Sequence, residues 1–159
     1  MKLCEKHRAV GNNLFHEGSY IRAAEQFKTS LSYYEYCFPD GEEDTLKLDR
    51  LRHTCLCNIA LCYVRAGRFR AAVDSADQII REGGLQQLRA KAYYLRGCAH
   101  RDLYDYAQAL SDLAVSLELD QGNRGITSEM ANVKALQAGS KIAERLAFGK
   151  IFASGGGDL

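Results

Sequence analysis

The sequence predicts an all-α chain of stacked helix pairs, and three observations predict it. A single proline, Pro39, leaves long uninterrupted runs on either side. Residues 58–76, NIALCYVRAGRFRAAVDSA, read as two helices closed on each other: an apolar face with Ile59, Ala60 and Tyr63, a break at Ala66-Gly67-Arg68-Phe69, and a second apolar face at Ala72, Val73 and Ala76. The same layout stands twice more, with Gly11, Gly18, Tyr20, Ala23 and Phe27 upstream and Gly97, Tyr104, Tyr106, Ala109 and Leu113 downstream.

Taken in order, each unit places a small residue on its first helix, a turn about seven positions later and an alanine about twelve positions later: Gly11 with Ala23, Ala60 with Ala72, Gly97 with Ala109. Units of about 34 residues then cover roughly 4–37, 53–86 and 90–123. The first interval, 49 residues (60 − 11), exceeds the second, 37 (97 − 60), and the excess is an insertion at 38–52, FPDGEEDTLKLDRLR. There Pro39-Asp40-Gly41 signals a turn, and Asp44-Thr45 is expected to cap a helix through Leu46, Leu48 and Leu51 that runs on into His53. The helices on both sides of this acidic loop are therefore expected to be lengthened.

Asp120-Gln121-Gly122-Asn123 marks the next stop. A helix at about 126–152 follows, with Met130, Val133, Leu136, Ala143 and Leu146 at helical spacing, to cover the face that three stacked pairs leave open. Gly139-Ser140 is expected to weaken it midway, Phe148-Gly149-Lys150-Ile151-Phe152-Ala153 to fray, and residues 154–159 to form a disordered tail.

Composition excludes several classes of function. With 47% apolar and 26% charged residues the 159-residue chain is of ordinary globular make-up, and a net charge of +1 gives no field for nucleic acid or a membrane surface. No apolar run approaches the roughly 18 residues of a membrane span, and the start lacks an apolar signal core. The six cysteines (Cys4, Cys37, Cys55, Cys57, Cys62, Cys98) contain no Cys-x-x-Cys pair and read as small packing residues in a reducing, cytoplasmic setting. His7, His16, His53 and His100 show no metal spacing and read as surface or interface residues. Tyr93, Tyr94, Tyr104 and Tyr106 are expected to fill inter-helix space. No nucleophile–base pair or phosphate loop stands out, and His100-Arg101-Asp102 imitates a kinase triplet in letters alone. Neither an enzyme nor a cofactor or metal is expected.

Function then falls to the groove lined by the first helix of each pair. Arg8 and Asn12 share a face, Asn58 is expected to face as Ala60 does, and Lys91 lies one turn before Leu95. Cations and amides converging from neighbouring helices suit a carboxylate.

These repeats resemble the tetratricopeptide repeat, which implies a right-handed α-solenoid of three helix pairs with a seventh, capping helix. Arg8, Gly11-Asn12, Asn58 and Lys91 fall where tetratricopeptide co-chaperones carry a "carboxylate clamp", which implies capture of the Glu-Glu-Val-Asp tail of cytosolic heat-shock chaperones, the ninety-kilodalton class favoured over the seventy. The family's fifth position, a cation one turn after Lys91, is Leu95 here, and Arg96 reaches the groove edge only by bending its stem. The long insertion, Lys91-Ala92-Tyr93-Tyr94-Leu95-Arg96-Gly97-Cys98-Ala99 and the ending Phe148-Gly149-Lys150-Ile151-Phe152 are similar to the immunophilin-like and aryl-hydrocarbon-receptor-interacting co-chaperones. Nothing resembles their isomerase domain, so an excised domain or a lone-repeat relative is expected. Lys141, Arg145 and Lys150 leave a second use for the final helix, as a basic target for calmodulin or a client protein. Leu95 keeps open a scaffold that binds a different partner, or self-associates, with an incomplete clamp.

Overall fold

A computed structural model describes residues 2–154, and the side-chain surroundings of residues 2–150. Among these residues the chain forms seven helices and no strand: α1 (Lys2–His16), α2 (Tyr20–Tyr34), α3 (Glu42–Arg65), α4 (Phe69–Glu82), α5 (Gln86–Asp102), α6 (Tyr106–Leu119) and α7 (Arg124–Ser154). Consecutive helices pack on one another, α3 also meets α5, and α7 lies against α6 with a smaller contact to α5. No described helix is long and apolar enough to cross a membrane.

Small residues set how closely each pair closes. A Cβ on Gly11 would stand 2.9 Å from the Phe27 ring, and one on Gly97 would stand 2.9 Å from Leu113 Cγ. Bulk on the second helix thus takes the space that glycine leaves on the first. In the middle pair the corresponding residues are Ala60 and Ala76, both fully buried.

The three turns repeat one hydrogen-bond pattern. Gly18, Gly67 and Tyr104 occupy the left-handed region at φ 78°, 70° and 64°. Each donates its N–H three residues back, to Phe15, Val64 and Arg101, and the next residue donates five back, to Leu14, Tyr63 and His100. Glycine adopts this conformation without strain, whereas Tyr104 carries a Cβ into it. Tyr104 is also 78% exposed, so of the four tyrosines expected in the packing it is the one that lies outside. Tyr94 and Tyr106 do pack against the Ala109–Leu113–Ile126–Val133 cluster.

A second repeated device carries no sequence signature. Ser30 Oγ donates to the Cys4 carbonyl at 2.7 Å, and Ser116 Oγ donates to the Ala90 carbonyl at 2.8 Å, each across 26 residues. Both hydroxyls are fully buried and tie the second helix of a pair to the start of the first. The middle pair has Ile79 in that place and, on α3, a buried His53 whose Nε2 lies 3.1 Å from Glu82 Oε2. Glu82 also accepts both guanidinium nitrogens of Arg52 and the amide of Gln78. Burial pushes the Glu82 carboxyl up, but the hydrogen bonds from Arg52 and Gln78 and the Arg52 charge outweigh it and bring the group below its ordinary range.

Some expectations are corrected. α3 starts at Glu42, ahead of the Asp44-Thr45 cap, with Gly41 at the N-cap and the Thr45 hydroxyl donating back to the Gly41 carbonyl. Glu42, Glu43 and Asp44 then lie in the first turn, where carboxylates complement the helix dipole. Only α3 is lengthened, to 24 residues, while α2 stops at Tyr34 after 15. α7 runs through Gly139-Ser140 without a break and on to Ser154. Its apolar row is not one seam. Ile126 and Val133 are buried and Met130 half-buried, but Leu136, Ile142, Leu146 and Phe148 are exposed. Of the expected tail, Ser154 closes α7 and residues 155–159 lie outside the described residues. All six cysteines are thiols, five of them buried and Cys37 half-buried.

Candidate functional site

The candidate groove runs over α1, α3 and α5, whose inner turns are held by buried thiols. Cys4, Tyr34 and Cys55 form one cluster, and Leu56 and Cys57 join Ala76, Ile79 and Ala92 in the next. Arg8 is one turn along α1 from Cys4, Asn58 follows Cys57 directly, and Lys91 sits between the buried Ala90 and Ala92. Each of these three residues therefore adjoins the core along its own helix.

Two buried thiols on α3 each feel one of the candidate cations. Burial pushes the Cys55 thiol up, while the neighbouring Ser30 and Tyr34 hydroxyls and the charge of Arg8 act in the opposite direction. Burial pushes Cys57 up to about 11, and the Lys91 charge opposes it. The two thiols lie two residues apart on α3, and Asn58 follows the second of them in the chain. Asn12 is exposed one turn beyond Arg8.

Arg8 and Lys91 make no salt bridge among the described residues, and Arg8 Nε is buried without a hydrogen-bond acceptor. Lys91 also stands at the edge of a cavity of about 360 Å³ between α5, α6 and the start of α7. His7, beside Arg8, holds α1 to α2 by stacking on Tyr33 and lying 2.9 Å from Gln26 Oε1.

Arg96, named with the groove residues from sequence, is engaged elsewhere. Its Nε and Nη2 reach Asp112 on α6 at 3.0 and 2.6 Å, and its Nη1 reaches Asp77 on α4 at 2.5 Å. The Asp112 side chain is 2% exposed and also accepts from Gln108 at 3.3 Å. Burial would lower the Arg96 pKa, but hydrogen bonds to Asp112 and Asp77 outweigh it and raise it. The guanidinium packs on the Tyr93 ring at 5.2 Å as well. The correction has a plain cause: five residues from Lys91 is about 140° of helix, which turns Arg96 toward α4 and α6. Leu95, one turn after Lys91, is 3% exposed and belongs to the core. Two cations and two amides remain for the groove.

The architecture matches solved structures along most of their length. The first tetratricopeptide domain of Spaghetti (RPAP3), bound to the HSP90 peptide SRMEEVD, aligns over 86% of this chain and 94% of its own with a TM-score of 0.66 at 22% identity. The C-terminal repeat domain of a Plasmodium falciparum FK506-binding protein aligns over 88% and 91% with a TM-score of 0.72 at 18% identity. The chain has the tetratricopeptide-repeat fold. A third solved structure of similar fold, the second such domain of human RPAP3 in complex with the HSP70 peptide SGPTIEEVD, gives a TM-score of 0.66 at 22% identity over 84% of this domain and 96% of its own chain.

The sequence relatives of this domain are peptidyl-prolyl cis-trans isomerases. Peptidyl-prolyl cis-trans isomerase D of Eremothecium gossypii is 25% identical over 154 residues, 96% of this domain and 42% of that protein. Human peptidyl-prolyl cis-trans isomerase FKBP4 is 29% identical over 121 residues, 76% of this domain and 26% of that protein. The domain thus spans less than half the length of these curated relatives. No family model matches it.

Proposed function

We propose that the domain is a non-catalytic peptide-binding adaptor that captures the acidic C-terminal tail of a cytoplasmic heat-shock chaperone. The observation that carries the reading is Arg8 Nε, buried and without an acceptor, while Lys91 likewise makes no ion pair among the described residues; in this reading both face the groove with Asn58. A terminal carboxylate supplies that acceptor. Arg8 grips it with a planar fork, Lys91 adds a point charge, and Asn12 and Asn58 donate directional hydrogen bonds. The solved relatives bound to SRMEEVD and SGPTIEEVD support this class of ligand, and the ninety-kilodalton tail is the expected one. With Leu95 in the core, the groove lacks one charge-assisted bond, worth about 1.5–3 kcal/mol. Binding is therefore expected at micromolar rather than tighter strength, and weaker as salt rises.

Titration calorimetry with SRMEEVD, SGPTIEEVD and an amidated SRMEEVD tests it. Binding by the free acids, lost on amidation and in Arg8→Ala, supports the clamp, and the ratio of the two affinities decides the chaperone class. Silence from all three peptides sinks the chaperone reading.

A further inference from the structure

Two faces of the molecule expose large apolar side chains beside opposite charge. One is the corner between α2 and α3. Phe38 is 92% exposed, and Tyr36, Cys37, Pro39, Leu48 and Leu51 line a depression of about 600 Å³ beside it. Carboxylates of Glu5, Asp40 and Asp44 edge this depression, with Glu42 and Glu43 adjacent. Of its two cations, Arg50 and Lys47, the latter is already bonded to Glu43 at 2.8 Å.

The other face is the far half of α7. Residues 141–150 are all exposed, so the helix outruns the body by roughly 15 Å at 1.5 Å per residue. Ile142 and Leu146 lie one turn apart on one face, 59% and 63% exposed, with Lys141 and Arg145 alongside them. Lys134 and Lys150 extend the same sign, against a single carboxylate, Glu144.

These faces cannot meet within one molecule, because α7 contacts α5 and α6 whereas the corner belongs to the first pair and α3. Pairing α7 with α7 would set lysine and arginine against their own kind, and pairing corner with corner would oppose carboxylates. Opposite charge is brought together only head to tail. We infer that the occupant of the α2–α3 corner is the projecting α7 helix of a second copy of this chain, with Ile142 and Leu146 inserted beside Phe38 and Lys141 and Arg145 on the acidic rim. This is helix-in-groove recognition, and because the two surfaces differ, the contact is heterologous and propagates. It involves none of Arg8, Asn12, Asn58 and Lys91, so it stands apart from the peptide reading.

The test is sedimentation velocity on the full chain and two variants with changes at exposed positions, Phe38→Glu and Ile142→Glu. The wild-type weight-average mass should climb above 17.7 kDa as concentration rises into the range of about 10–500 μM, and fall back in about 0.5 M salt. Each variant alone should stay at 17.7 kDa. An equimolar mixture should form a species of twice that mass and no larger, since Phe38→Glu keeps a working helix and Ile142→Glu a working corner. A wild-type chain that stays monomeric overturns the proposal and leaves α7 to another acidic partner. A mixture that stays monomeric overturns it too, as does loss of assembly in Ile142→Glu but not in Phe38→Glu, which would mean symmetric helix pairing.

Discussion

Replacing Arg96 by methionine should unfold the third repeat before it disturbs any groove. The change removes two hydrogen bonds to Asp112, at 3.0 and 2.6 Å, and one to Asp77 at 2.5 Å. Asp77 is 38% exposed in its side chain and recovers water, so its loss contributes little. Asp112 is 2% exposed and is left with one amide donor, Gln108 at 3.3 Å, and His100 Nε2 at 3.8 Å. Removing one partner of a buried pair costs about 3–5 kcal/mol, and those remaining neighbours place this case near the lower bound, about 3 kcal/mol. For a chain of this length that lowers Tm by roughly 6–12 °C and the urea midpoint by about 1.5 M. Adding Asp112→Leu to Arg96→Met should recover most of the loss, because no unpaired charge then stays in the core. Equilibrium urea denaturation followed by circular dichroism measures all three. An Arg96→Met domain as stable as the wild type, but unable to bind a free-acid peptide, would refute the reasoning and return Arg96 to the groove.

Two further outcomes are expected. Tyr104→Gly should stabilise the domain by about 1 kcal/mol by relieving the left-handed backbone at φ 64°, raising Tm by roughly 2–4 °C in calorimetry; no change or a loss would mean that the Tyr104–Tyr106 edge contact at 6.4 Å outweighs the strain. Glu82 is held below its ordinary pKa in the fold, so it stabilises the native state above its unfolded pKa of about 4.3, and that contribution fades as pH falls through the lower folded value. Unfolding free energies measured from pH 7 down to pH 3 should therefore drop more steeply for the wild type than for Glu82→Gln, and parallel curves would contradict the assignment.

Local chemistry explains how much of this was legible in the sequence. The helix pairs could be read because close approach needs small residues at fixed intervals, and Gly11, Ala23, Ala60, Ala72, Gly97 and Ala109 are written into the chain. Two of the three turns announce themselves by glycine. The third is hidden by Tyr104, which reads as packing until the backbone is seen. Arg96 could not be assigned from its neighbours because its partners are 16 and 19 residues away, on two other helices. His53 reads as a surface or interface residue in the sequence for the same reason, although it is buried, since Glu82 lies 29 residues on. The start of α3 was misjudged because Asp44-Thr45 has the composition of a cap, while Gly41 does the capping with backbone alone. In α7, periodicity named the apolar residues but could not say where the body beneath them ends.

The buried serine ties bear on how such an array holds together as one unit. In a linear stack each pair draws stability from itself and from the borders it shares, and the outermost pairs have the least border. Ser30 and Ser116 fasten the first and third pairs internally, where one has no helix before it among the described residues and the other is roofed by α7 over only part of that helix's length. The middle pair, bordered on both sides, lacks the buried hydroxyl and is fastened instead by Arg52 and His53 to Glu82. Every pair thus carries its own polar tie, which levels the free energy of opening along the stack, so that fraying from either terminus and melting of the centre become comparable events and the array behaves more nearly as a single cooperative body.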